Sequence, residues 1–204
     1  MALKTRIAVL VSGGGTNLQA LLDAQSAGKL PDGEIVLVIA SKPGVYALKR
    51  AEAAKVPAVV CSRKELGSQE AFEKAIEDAL QEHKVQLLVL AGFLSILSEA
   101  FTARWPERIL NVHPSLIPAF CGKGYYGLRV HEAVLERGVK VTGATVHFVN
   151  EIPDGGRILL QKAVPVLDGD TPEILQRRVM EEAEWQLLPR AAQLVSAAIR
   201  KENA

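Results

Sequence analysis

Apolar residues fall in short runs along the chain, and the runs alternate between two spacings. Ile7–Val11 is continuous and rich in β-branched residues, as a strand buried on both faces requires. After Ser12-Gly13-Gly14-Gly15-Thr16-Asn17, the segment LQALLDAQSAG carries apolar positions at helical spacing and closes on Gly28. The same pattern predicts strands at Glu34–Ile39, Ala58–Cys61, Leu87–Leu90 and Ile109–Val112. Between them it predicts helices at Val45–Ala54, at Ser68–His83 with Ser68 as the cap, and at Ser98–Trp105. Such alternation builds a mostly parallel, Rossmann-like open sheet of the α/β class, with helices on both faces.

After Pro114 the pattern changes. Pro114–Gly127 is irregular, rich in proline and glycine, and Leu128–Arg137 returns to helical spacing. Val141–Val149 and Ile158–Val166 are long strand candidates joined by Asn150-Glu151-Ile152-Pro153-Asp154-Gly155-Gly156. That connection is built of turn residues, which predicts an antiparallel pair extending the sheet. Asp170-Thr171-Pro172-Glu173 starts a long helix, with proline in its first turn, that is expected to carry the chain to its end. No repeat, low-complexity tract or linker interrupts the pattern, so residues 1–204 read as one domain with two differently built halves.

Composition narrows the class. A chain of 204 residues that is 49% hydrophobic and 23% charged can bury a proper core. Its 24 basic and 23 acidic side chains leave a net charge of +1, which offers no general pull on nucleic acid. Cys61 and Cys121 lack CxxC spacing, so neither a disulfide framework nor a zinc–thiolate site is expected. A reducing cytoplasm is the expected compartment. The opening MALKTRIAVLV has too short an apolar run for a signal peptide. No apolar run reaches about 18 residues, so no membrane partner is expected.

Glycines between a first strand and a helix allow close backbone approach and present amides at a helix N-terminus, as a phosphate site does. A tight turn accounts for one glycine but hardly for three in a row. The dinucleotide fingerprint fails, because Leu18 stands where a pattern starting at Gly13 needs its last glycine. Ile39-Ala40-Ser41-Lys42 also brings no carboxylate for a ribose diol, and no G-K-[ST] follows the glycines. A single phosphate, as on a ribose monophosphate, needs only Gly14, Gly15, Thr16 and Asn17.

Asn111-Val112-His113-Pro114-Ser115-Leu116-Ile117-Pro118 ends a predicted central strand at its carboxyl edge, where open α/β sheets hold their ligands. Asn111 and His113 share a parity and point to one side. An amide that cannot change charge, beside an imidazole that can, suits a moving proton and a developing oxyanion, to which Asn111 and protonated His113 are both expected to donate. Asp154 could orient that imidazole and stabilise its cation, although Asp-Gly-Gly is also a common turn composition. Thr145 and His147 lie on the next predicted strand, and either could line the site with Pro114 and Ser115; for His147 the expected role is structural or positioning. His83 and His131 read as ordinary. No histidine clusters with carboxylates at metal-ligand spacing, so no metal is expected. Ser115 lacks a G-x-S-x-G setting, and Cys121 reads as a small loop residue. The set describes acyl-group chemistry without a covalent nucleophile.

The segments IAVLVSGGGTNLQAL, LLVLAGFLSIL, ILNVHPSLIPAF, VTGATVHFVNEIPDGG and EWQLLP span nearly the whole chain in order. In them the chain resembles the folate-dependent phosphoribosylglycinamide formyltransferases of purine synthesis. The resemblance implies formyl transfer from 10-formyltetrahydrofolate, as co-substrate, to the amine of glycinamide ribonucleotide. It implies Asn111, His113 and Asp154 as a catalytic trio, Gly15, Thr16 and Asn17 as the phosphate loop, and Glu184 on the ribose hydroxyls. The folate is expected between Leu94-Ser95-Ile96-Leu97 and the loop from Asn150 to Asp154. Residues 1–110 then form the phosphate- and nucleotide-binding half, and residues 111–204 the catalytic and folate-binding half. Many relatives carry arginine at the place of Ser95 and another near Gln69; Arg63 or Lys64 is expected to take over their hold on the folate tail. The Cys121–Tyr126 loop is longer than in some relatives. Assembly as a monomer or a homodimer is expected.

Three other readings share some of these features. Methionyl-tRNA formyltransferases add a C-terminal RNA-binding domain, for which the charge balance and the single closing helix give no support. Formyltetrahydrofolate hydrolases usually add a regulatory domain before the first strand. A non-catalytic nucleotide-binding module would not need an intact Asn-His-Asp set.

Overall fold

A computed structural model describes residues 4–203. Its strands are β1 (Thr5–Val11), β2 (Gly33–Ala40), β3 (Ala58–Val60), β4 (Leu87–Leu90), β5 (Ile109–His113), β6 (Val141–Phe148) and β7 (Ile158–Pro165). Its helices are α1 (Thr16–Ser26), α2 (Tyr46–Ala53), α3 (Arg63–Leu66), α4 (Gln69–Glu82), α5 (Glu99–Thr102), α6 (Leu128–Arg137), α7 (Pro172–Val179) and α8 (Trp185–Glu202). The strands form one sheet in the order β3-β2-β1-β4-β5-β6-β7. Pairing is parallel from β3 through β5, and β6 and β7 are antiparallel additions, as the change of pattern after Pro114 predicts.

Strand β1 explains why both faces are covered. Ile7, Val9 and Val11 pack with Leu18, Leu21 and Leu22 of α1 and with Leu188, Ala191 and Ala192 of α8. The alternate residues Ala8 and Leu10 pack with Phe72, Ile76 and Leu80 of α4. Each large side chain buried this way contributes roughly 2 kcal/mol. Helix starts are set by hydroxyls: Ser68 accepts from the Ala71 amide at 3.0 Å and Ser98 from the Phe101 amide at 3.2 Å. Thr171 accepts from the Ile174 amide at 3.3 Å, with Pro172 opening α7.

The C-terminal helix departs from the expected single run. Between α7 and α8 lies a π-helical turn, Met180–Glu184, in which the Trp185 amide reaches back five residues to the Met180 carbonyl. One surplus residue leaves the apolar spacing on either side intact, which is why the pattern does not reveal it. The turn brings Glu184 inward. A second departure is the one-turn helix α3, capped by Ser62, where no helix is predicted.

His131 of α6 is fully buried, and neither ring nitrogen has a hydrogen-bond partner among the described residues. Burial pulls its pKa down to about 4, and the neighbouring His113 charge adds to the effect. The unfolded chain therefore binds this proton first, and native stability falls as pH drops from neutrality towards 4. The loss between pH 7 and pH 5 amounts to about 2 kcal/mol. We expect His131→Leu to shrink the difference in unfolding free energy between those two pH values. Equal pH dependence in the two proteins would remove His131 from the account.

Candidate active site

Three loops leave the carboxyl edge of the parallel strands side by side: those after β1, β4 and β5. Because β1 lies between β2 and β4, its loop sits at the point where the strand order reverses, the ligand-binding position of open α/β sheets. Ser12 ties two of the loops together. Its amide donates to the Gly92 carbonyl at 3.1 Å, and its hydroxyl accepts from the Leu94 amide at 2.9 Å.

Within the glycine loop the three glycines have different reasons. Gly15 is left-handed (φ 72°), and a Cβ there would come within 2.7 Å of the Ala47 Cβ, so packing requires it. A Cβ on Gly13 or Gly14 would meet nothing within 4 Å. The space above them is open. Among the described residues, the amides of Gly14, Gly15, Thr16 and Asn17 have no protein acceptor. This is a cradle an anion can enter at the N-terminus of α1. Beside it, Asn17 donates to Glu184 at 2.6 Å across 167 residues of chain. Burial drives the Glu184 pKa up to about 7, with the Asn17 bond opposing.

The second centre is a knot of four side chains. In the β5–β6 register Asn111 faces His147, and His113 faces Thr145. The Asn111 amide nitrogen lies 3.1 Å from His147 Nε2 and donates to Asp154 Oδ1 at 3.4 Å. Asp154 Oδ2 lies 3.4 Å from His113 Nδ1, and Oδ1 lies 3.5 Å from His147 Nε2. The Gly122 amide donates to Asp154 Oδ2 at 2.8 Å, and the Phe120 carbonyl lies 2.8 Å from His113 Nε2. Burial raises the Asp154 pKa, yet the bond from His147, the charge of His113 and the Gly122 amide outweigh it, so the net shift is downward. Burial also dominates at His113 and lowers its pKa, against the opposing pull of Asp154 and of the Phe120 carbonyl; a charged His147 lowers it further.

The Asp154 loop is more than a surface turn. Asp154 itself is left-handed (φ 56°). A Cβ on Gly156 would come within 1.8 Å of the Phe148 carbonyl oxygen, and one on Gly155 within 2.6 Å of Ile152. Asn150 closes the base of the loop by accepting from the Ile152 amide at 3.1 Å. Both glycines are thus needed for the backbone to double back over Asn111 and His113.

Between this knot and the loop after β4 lies a cleft of about 110 Å³, lined among others by Phe93, Ser95, Ile96, Asn111, His147 and Ile152. Leu94 and Ile96 stand exposed at its rim and Leu97 is buried beneath. Gln69 is occupied elsewhere: its amide donates to the Ile96 carbonyl at 3.0 Å and to Glu73. Glu73 in turn accepts from the amide and hydroxyl of Ser98, so the pair braces the loop. Arg63 and Lys64 lie on α3 and do not line the cleft. Pro114, Ser115 and Thr145 stand behind it, and His113 meets it only through Asp154. Ser115 donates to the Ala119 carbonyl at 2.6 Å, while Thr145 donates to Ser115 and accepts from the Ile117 amide. They hold the loop after β5 from behind, because the pairing of His113 with Thr145 directs their polar atoms to its backbone. His147, expected to line the site in a structural or positioning role, lies against Asn111 and Asp154.

The chain belongs to the formyl transferase family, which it matches over residues 5–192. It is 44% identical to the phosphoribosylglycinamide formyltransferase of Haemophilus influenzae over 184 residues, covering 90% of this chain and 84% of that protein. Within the family it therefore belongs with the phosphoribosylglycinamide formyltransferases. It is also 48% identical over 196 residues to the trifunctional purine biosynthetic protein adenosine-3 of Gallus gallus; the match takes in 95% of this chain but only 19% of that protein. Among solved structures, glycinamide ribonucleotide transformylase 1 from Symbiobacterium toebii superposes with a TM-score of 0.89 at 43% identity, covering 96% of this chain and 89% of that one. The Brucella melitensis phosphoribosylglycinamide formyltransferase gives 0.87 at 44%, covering 96% and 97%. No helix among the described residues is long and apolar enough to cross a membrane.

Gly156→Ala tests the loop geometry. The added methyl forces the backbone away from Phe148 and carries Asp154 off the two histidines. We expect kcat to fall about a hundredfold, the scale of a lost proton-transfer partner, with the His113 NMR titration moving towards lower pH. An unchanged titration would mean that Asp154 stays in place without Gly156.

Proposed function

We propose that the chain transfers the formyl group of 10-formyltetrahydrofolate to the primary amine of glycinamide ribonucleotide, a cytoplasmic step of purine synthesis. The observation that carries this reading is the Asn111–His113–His147–Asp154 knot, set between an anion cradle and an apolar-rimmed cleft. In this reading the ribonucleotide phosphate accepts from the amides of Gly14, Gly15, Thr16 and Asn17. Glu184 accepts from the ribose hydroxyls, in exchange for its bond to Asn17. The folate lies between Leu94–Leu97 and Asn150–Asp154.

The chemistry follows from the geometry. The amine lone pair attacks the formyl carbon, and the carbonyl π pair moves onto oxygen. Asn111 turns one amide hydrogen from its long contact with Asp154 to that oxyanion, a stabilisation of about 3 kcal/mol. The neutral His113 ring has an acceptor at each nitrogen, the Asp154 carboxylate and the Phe120 carbonyl, but one proton to serve both. Asp154, which lines the cleft where His113 does not, relays the proton of the attacking amine to His113 Nδ1 and returns it by the same path. Collapse re-forms the carbonyl and breaks the bond to the folate nitrogen, which keeps the electron pair and receives the proton from His113 through Asp154. Asp154 holds the imidazolium between these events, and His147 holds Asn111 and Asp154 in place. No acyl-enzyme forms, and one cleft supplies the proximity.

The lowered His113 pKa keeps the ring neutral and proton-accepting at neutral pH. The acid limb of kcat/KM is therefore expected below the ordinary histidine value of about 6.5. Asp154→Asn removes the charge that supports the imidazolium, which should move this limb lower still and cut kcat about a hundredfold or more. Little change in KM is expected. Near-wild-type kcat in that variant would take Asp154 out of the mechanism.

The direct test is incubation with 10-formyltetrahydrofolate, with and without glycinamide ribonucleotide. Tetrahydrofolate release that requires the ribonucleotide is the expected outcome. Release without it would make the protein a hydrolase, and no release in either case would overturn formyl transfer.

A further inference from the structure

We infer that Arg50, on α2 and outside the anion cradle, is a positioning residue for the ribonucleotide phosphate, acting through the peptide planes of the glycine loop. The inference rests on the phosphate reading above and names what sets up that site. Two neighbouring peptide planes are held from the α2 side. The Ala47 amide donates to the Gly13 carbonyl at 3.2 Å, and Arg50 Nε donates to the Gly14 carbonyl at 2.8 Å. In a trans peptide the carbonyl and the following amide point in opposite directions. Fixing the carbonyls of Gly13 and Gly14 against α2 therefore aims the amides of Gly14 and Gly15 away from it, into the cradle. Glycine backbone left free samples many conformations, so these amides would otherwise lose their common direction.

Arg50 is itself held at three points. Its Nη1 donates to Gln19 on the first turn of α1 at 2.9 Å, and its guanidinium lies 4.9 Å from the centre of the Tyr46 ring. One planar group thus bridges the glycine loop and the helix that the loop opens. The missing Cβ of Gly15 lets α2 come close enough for this contact, since a methyl there would strike Ala47 and sit 3.4 Å from the Arg50 side chain. Lysine cannot reproduce the fork. It keeps the charge but has one donor centre, where the site uses Nε and Nη1 in fixed relation.

The test compares glycinamide ribonucleotide with the phosphate-free glycinamide riboside as acceptors, for wild type, Arg50→Gln and Arg50→Lys. The readout is the ratio of kcat/KM for the two acceptors, which reports phosphate recognition alone. Wild type should favour the ribonucleotide strongly. Both variants should lower the ratio about tenfold, the worth of one charged hydrogen bond, through KM for the ribonucleotide. A global folding defect lowers both acceptors together and leaves the ratio intact. An unchanged ratio in Arg50→Gln overturns the inference, as does a wild-type ratio in Arg50→Lys, which would reduce the role to charge. Gln19→Leu frees only the second hold, and a fall of about threefold is expected; no fall there would leave Arg50 unsupported by α1 and count against the clamp. If wild type itself does not distinguish the two acceptors, the phosphate site is wrong and the inference falls with it.

Discussion

Everything near the Asn111–His113–His147–Asp154 knot depends on keeping one carboxylate ionised in a place where water barely reaches it. The Asp154 side chain is only 13% exposed. Burial by itself raises its pKa, and an unpaired buried charge is costly. Two imidazoles, an amide side chain and a backbone amide make the charge tolerable, and each comes with its own piece of the fold. His113 ends β5, His147 sits on β6, and Gly122 belongs to the loop between them. The antiparallel join of β5 to β6 is what places both rings within reach of one carboxylate. The left-handed turn at Asp154 and the absent side chain at Gly156 complete the approach. Removing the charge would leave several groups arranged around nothing.

The anion cradle obeys the opposite rule. There the protein presents amides and withholds acceptors, so the site is polarised by what is left unsatisfied. The two centres are joined through Ser12, which connects the glycine loop to the loop after β4, and through the sheet itself. A substrate with a phosphate at one end and an amine at the other can span them. That the cradle lies at the reversal of strand order follows from the parallel topology and needs no special device.

Much of this was legible in the sequence. The runs at Ile7–Val11, Leu87–Leu90 and Ile109–Val112 mark buried parallel strands because such strands are apolar on both sides, and the two long strands after Val141 are set apart by their turn-rich connection. Asn111, His113 and the glycine loop stand out because their positions follow from the end of a strand. Asp154 rested mainly on the resemblance, since the same three letters make ordinary turns. For His147 a structural or positioning role was legible, but its partner across the sheet was not, because register decides it and a one-residue slip would change it. Ser115 and Thr145 look like site residues by proximity, yet their hydroxyls are spent on loop backbone. The bond from Gln69 to the Ile96 carbonyl joins residues far apart in the chain, and no local pattern announces it.

The π turn between α7 and α8 sets the phase of the helix that follows it. In an α-helix each residue advances the face by about 100°, so the surplus residue at Met180–Glu184 acts as a phase shifter between two helical segments. Deleting one residue there would produce a smoother, locally more favourable helix, and it would also rotate Glu184 away from Asn17 or α8 away from the sheet. The irregular form is the one that joins the far end of the chain to its first loop. Local helix regularity and that junction make opposite demands on the same five residues, and the junction prevails.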